Sequence, residues 1–105
     1  MKLDIQSFQK DVTAALTAEP LTAALTITNG MVIIAKTTNT GNIFFGNSAV
    51  SPSNGVIIPP GASVSFNPTD LGFSLGDQID LNRFYIDAAV SGEGVSGFYP
   101  KKVNA

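Results

Sequence analysis

Met31-Val32-Ile33-Ile34-Ala35-Lys36, Thr37-Thr38-Asn39-Thr40-Gly41-Asn42, Ile43-Phe44-Phe45-Gly46-Asn47-Ser48: two apolar segments flank a polar, turn-prone hexamer. In an extended chain Met31, Ile33 and Ala35 point to one side, and Val32, Ile34 and Lys36 to the other. Both sides are apolar until Lys36, which reads as a largely buried strand. Asn39, Gly41 and Asn42 tolerate the positive φ of a tight reversal. The simplest expectation is a β-hairpin whose second strand starts at Ile43.

Working toward the N-terminus, Leu21-Thr22-Ala23-Ala24-Leu25-Thr26-Ile27-Thr28 reads as a strand. Leu21, Ala23, Leu25 and Ile27 are expected inward, with the threonines outward. Asn29-Gly30 is a strong hairpin signal that would join this strand to Met31. Glu19-Pro20 breaks the pattern before it, because proline has no amide donor. Residues 3–17 are ambiguous. Leu3, Ile5, Phe8, Val12, Ala15 and Leu16 fall roughly at helical spacing, yet the stretch would also serve as an edge strand or as an arm ordered by a partner. A short helix or arm over 3–10 and a strand over 11–17 is the expectation.

Working toward the C-terminus, residues 46–55 are polar and turn-rich, and Ser51-Pro52-Ser53-Asn54-Gly55 has turn residues throughout. Val56-Ile57-Ile58 is a brief strand stopped by Pro59-Pro60-Gly61, where Gly61 suits the positive φ of a type II turn. Ala62-Ser63-Val64-Ser65-Phe66 alternates, with Val64 and Phe66 inward. Leu71, Phe73 and Leu75 alternate with small residues, as an end plug of the core or as a subunit contact. Residues 83–90 form a strand with Phe84, Ile86, Ala88 and Val90 on one face and Arg83, Tyr85 and Asp87 on the other. Ser91-Gly92-Glu93-Gly94 turns the chain, and residues 95–99 return beside it. The sum is an all-β fold, a small antiparallel β-sandwich or barrel of about seven or eight short strands. Residues 1–20 form the arm and first edge element, 21–100 the sandwich, and 101–105 a tail.

A resemblance rests on three runs: Ala35-Lys36-Thr37-Thr38-Asn39-Thr40-Gly41-Asn42-Ile43-Phe44-Phe45-Gly46-Asn47-Ser48, then Asn54-Gly55-Val56-Ile57-Ile58-Pro59-Pro60-Gly61-Ala62-Ser63-Val64-Ser65, then Asp80-Leu81-Asn82-Arg83-Phe84-Tyr85-Ile86-Asp87-Ala88-Ala89-Val90-Ser91-Gly92-Glu93-Gly94-Val95. In order and spacing these resemble small virion structural proteins of tailed bacteriophages, of the capsid-decoration or head-fibre type. The match covers roughly residues 31–66 and 80–99. The resemblance implies a β-rich protein built into a phage particle.

The 105 residues bound the answer to one domain without disulfide staples. No cysteine is present, so thiolate metal sites are excluded. No histidine is present, so a histidine general base is excluded. With a net charge of −2 and only Lys101-Lys102 clustered, the chain lacks the basic patch a phosphate backbone requires. Met1-Lys2-Leu3-Asp4-Ile5-Gln6 is too polar for a signal-peptide core, and no apolar run reaches the ~18 residues of a membrane span. Charged residues make up only 13% of a chain that is 44% hydrophobic, a balance suited to lying against other subunits.

Other chemistry is thin. No serine has a lysine placed by the pattern, and the Gly-x-Ser-x-Gly elbow is missing. Asp80 and Asp87 are separated along one strand and do not read as a glycosidase pair. Asp77 and Asp80 lack the spacing of a calcium loop. No enzyme, cofactor or metal is therefore expected.

The leading expectation is a capsid decoration or cement protein on the virion surface, assembled in the host cytoplasm. It would bind across major capsid protein or other virion subunits and form a homo-oligomer, a trimer favoured by local threefold positions. Nucleic acid and membrane are not expected partners. The contact residues expected are Leu3, Ile5 and Phe8 of the arm and Leu71, Phe73 and Leu75 of the loop. The alternative is a carbohydrate or host-surface binding module using residues 47–54 with Tyr85 or Tyr99.

Overall fold

The computed structural model describes residues 2–67 and 78–103. The expected loop contacts Leu71, Phe73 and Leu75 lie outside the described residues, as does Asp77. The described chain is all-β and forms two four-stranded antiparallel sheets. Sheet A contains β1 (Lys2–Asp11), β4 (Met31–Ala35), β7 (Ser63–Phe66) and β10 (Gly94–Val103), ordered β1-β10-β4-β7. Sheet B contains β2 (Glu19–Pro20), β5 (Ile43–Gly46), β6 (Val56–Ile58) and β9 (Tyr85–Ala88), ordered β2-β9-β5-β6. A small pair, β3 (Ile27–Thr28) with β8 (Ile79–Asp80), completes the described strands, and a 3-10 turn over Leu81–Arg83 follows β8.

The core lies between the two sheets. Met31, Ile33 and Ala35 are buried on the inner side of β4, with Val95 beside them from β10. Ile43, Phe45, Ile58, Ile86 and Ala88 close over them from sheet B. Phe84 stacks on Phe45 at 5.2 Å between ring centroids and meets the edge of Phe66 at 5.3 Å. These rings join the sheets by the apolar burial and ring geometry that dominate small cores.

Four expectations are corrected. First, residues 31–48 are no hairpin: β4 lies in sheet A and β5 in sheet B, so residues 37–42 cross between sheets. Each strand has its own buried face, and crossing lets those faces oppose each other instead of lying side by side. Second, β9 and β10 also belong to different sheets, so 89–93 is another crossing rather than a hairpin. The hairpin that does form is β5–β6. Third, residues 22–26 are not strand. Leu25 is 74% exposed, Ile27 is exposed and Thr28 is buried, which reverses the expected faces. Asn29-Gly30 consequently links β3 to β4 without pairing them, since β3 pairs with β8. Fourth, residues 2–11 form one strand in ten-residue register with β10, from Lys2 opposite Val103 to Asp11 opposite Gly94. The expected arm or helix and the expected tail at 101–103 are thus the two partners of one ladder, and the strand expected over 11–17 is mostly loop. An edge strand with one flank open gains its bonds from a distant partner and needs little apolar periodicity of its own, which is why the spacing misled.

Four direct links between the sheets, 12–18, 37–42, 59–62 and 89–93, meet at one end of the sandwich. Gly61 has φ 82, as the turn after Pro59-Pro60 requires, and its N–H donates to Ala35 O at 2.9 Å.

Candidate functional site

The crossings at that end are locked to one another by side chains. Asn39 is only 7% exposed. Its Nδ2 donates to Gly94 O at 2.9 Å, and its Oδ1 accepts from Gly94 N–H at 3.3 Å. Reaching the other way, the Glu93 carboxylate accepts from Thr40 N–H at 2.7 Å, Gly41 N–H at 2.9 Å and Thr40 Oγ1 at 2.9 Å. The Gly41 and Thr40 backbone donors hold the Glu93 carboxyl below its ordinary value. Position 94 must be glycine, because a Cβ there would collide with Lys10 O. Glu19 pins the neighbouring crossing: it pairs with Lys10 Nζ at 2.8 Å and accepts from Thr13 N–H at 2.6 Å. Those contacts, the Lys10 hydrogen bond first, also lower its carboxyl.

This lock gives the quoted runs a physical meaning. Thr38-Asn39-Thr40-Gly41 and Gly92-Glu93-Gly94, about fifty residues apart in sequence, meet as one hydrogen-bonded unit. Their role is to close the fold, and their polar groups are consumed in doing so.

The outer face of sheet A is of another character. Directly opposite residues of an antiparallel ladder share a face. Val32, Ile34 and Phe98 point away from the buried Ile33 and Val95, and Phe98 lies opposite both Val32 and Ser7. Ile5 and Pro100 continue the row. Ile5 is 59% exposed and Phe98 42%. Ser7, Ser96, Ser63 and Ser65 fill neighbouring outward positions. The charges among its described side chains, Asp11 and Lys36, pair with each other at 2.7 Å at the crossing end.

Of the expected contact residues, Ile5 is thus on an exposed apolar face. Phe8 points the other way, half-buried against the core, with its ring 5.9 Å from that of Tyr99. Leu3 lies on β1 opposite Lys102. Sequence reasoning missed Phe98, Val32 and Ile34. The signal for Val32 and Ile34 is the unbroken apolar run of β4, which reads as burial on both sides; Phe98, on β10, reads as a core aromatic.

A third feature is a groove of about 570 Å³ on the sheet B side, lined by Leu25, Asn47, Ser48, Asp80, Asn82, Arg83 and Tyr85. The alternative reading groups residues 47–54 with Tyr85 or Tyr99; Asn47 and Ser48 line the groove with Tyr85, and residues 49–54 do not. Tyr99 is elsewhere, against Phe8. Asp80 Oδ1 accepts from Thr26 N–H and Asn82 N–H, each at 3.0 Å. Asp87 is buried, its Oδ1 accepting from Ala88 N–H at 2.7 Å. Among the described residues no three acidic, histidine or cysteine side chains gather as a metal site. No protein family matches the chain, and neither a curated protein nor a solved structure does.

Proposed function

We propose that this protein is a non-enzymatic structural subunit of a bacteriophage particle, a decoration or cement protein that seats the outer face of sheet A on coat subunits. The observation that carries the docking reading is that face itself: Ile5, Phe98, Val32 and Ile34 in a row, bordered by serines and by one self-neutralised ion pair. An exposed apolar patch with a polar border suits burial against another subunit. The resemblance of residues 31–66 and 80–99 to phage virion proteins supplies the partner. The mechanism is mechanical. Each copy bridges neighbouring coat subunits, a stable contact of this kind buries roughly 1,200–2,000 Å² in total, and many copies multiply a small gain per site. A trimer at local threefold positions of the head surface is the assembly this reading favours.

The test begins with particles of a phage that encodes the chain, with heads and tails separated before mass spectrometry. Hundreds of copies on heads support the reading; absence from both fractions overturns it. Ile5→Ser combined with Phe98→Ser should then lower retention on heads about tenfold or more while thermal unfolding changes little. A few copies confined to tails would replace decoration with a host-surface binding module.

A further inference from the structure

We propose that the groove on the sheet B side is a carbohydrate-binding site, with Arg83 and Tyr85 as its principal ligand contacts. The groove is prearranged from below. Asp80 Oδ1 ties Thr26 N–H and Asn82 N–H, while Asn82 Nδ2 donates to Thr22 O at 3.0 Å and to Ala23 O at 3.4 Å. Those bonds fix the 22–26 loop as one wall and carry the exposed Leu25 with it. They use one carboxylate oxygen of Asp80 and the amide nitrogen of Asn82, and both side chains line the groove, where a carboxylate and an amide oxygen are acceptor groups. On the opposite wall Asn47 accepts from Ala49 N–H at 3.0 Å, which sets the loop that presents Ser48.

The lining decides the ligand class. Arg83 is the chain's single arginine, it is exposed, and it forms no ion pair among the described residues. A planar fork of donors beside carboxylate, amide and hydroxyl groups matches vicinal sugar hydroxyls, which donate and accept at once. Tyr85, on the outer side of β9 and half-buried, and Leu25 offer apolar surface to the C–H face of a sugar ring. A phosphate-rich ligand would meet the Asp80 charge with one cation to oppose it. A purely apolar ligand would strand the polar groups. No lining residue belongs to sheet A, so a ligand here and a partner on the outer face of sheet A bind without competing.

The experiment uses the whole chain on a printed array of neutral and acidic saccharides. Free glucose, galactose, N-acetylglucosamine and glucuronic acid are then titrated against the labelled protein by heteronuclear NMR. The expected result is binding to at least one saccharide class, with shifts at Arg83, Tyr85 and Ser48. Affinity should fall about tenfold in Arg83→Ala and in Tyr85→Ala, and hold in Ile5→Ser. Arg83→Lys keeps the charge but loses the fork, and should rescue only part of the loss. Overturning results are no shift with any saccharide, or equal binding by folded Arg83→Ala and Tyr85→Ala proteins. Head retention of the same variants separates this site from the docking reading, because it should be unchanged.

Discussion

Two irregular segments of this chain, 37–42 and 22–26, are held by the same chemistry, an acid paired with an amide, yet they do opposite things. At 37–42 the amide of Asn39 is buried and grips both backbone groups of Gly94, while Glu93 gathers the N–H groups of Thr40 and Gly41. At 22–26 the acid Asp80 and the amide of Asn82 grip Thr26, Thr22 and Ala23 from beneath, and the loop they hold stands in water. The first pair draws two sheet crossings together over the core. The second props one wall of a groove. Burial makes the difference: removing a buried partner strands polar groups, whereas an exposed carbonyl returns to water.

The largest effect that distinguishes the two loops should come from Asn39→Ala. It leaves Gly94 N–H without its partner in a buried position, and the expected loss is about 2 kcal/mol in urea unfolding. Asn82→Ala should cost about 1 kcal/mol or less by the same measurement, while loosening the groove wall and weakening saccharide binding. Equal costs would mean that burial is not what separates these loops. The smallest effect is acid sensitivity at 37–42. Folding lowers the Glu93 carboxyl, so its contribution is complete above the ordinary value of 4.5 and fades as pH falls through the folded one. Unfolding followed from pH 7 to pH 3 (range set by the carboxylate pKa) should show stability falling at the acid end. The fall should be shallower in Glu93→Gln; a residual slope is expected, because Glu19 shifts in the same direction.

Much of the architecture was legible from local alternation. Met31–Ala35, Ile43–Gly46, Val56–Ile58, Ser63–Phe66 and the Gly61 turn all stand where the apolar pattern and the Pro-Gly signal put them. What local pattern does not carry is which strands share a sheet. A strand with one buried face looks the same whether its sequence neighbour pairs beside it or faces it across the core. So 37–42 and 89–93 both read as hairpin turns and both proved to be crossings. Leu25 and Ile27 misled because their exposure is set by Asp80 and Asn82, more than fifty residues downstream. The groove was half visible in Asn47, Ser48 and Tyr85. Arg83 stayed hidden because it was assigned to a strand face and not to the 3-10 turn that presents it.

The register of β1 against β10 also has a kinetic side. Lys2 lies opposite Val103 and Asp11 opposite Gly94, so this ladder joins segments far apart in sequence and encloses all the other described strands. Loop closure of that span must precede any of its bonds, and such pairings form late and slowly. During synthesis β1 emerges long before β10 and has no ladder of its own to join. Phe8 therefore lacks its core contacts through most of folding, while β10 of another copy offers the same register. At high concentration, exchange of this strand between copies competes with closure within one chain.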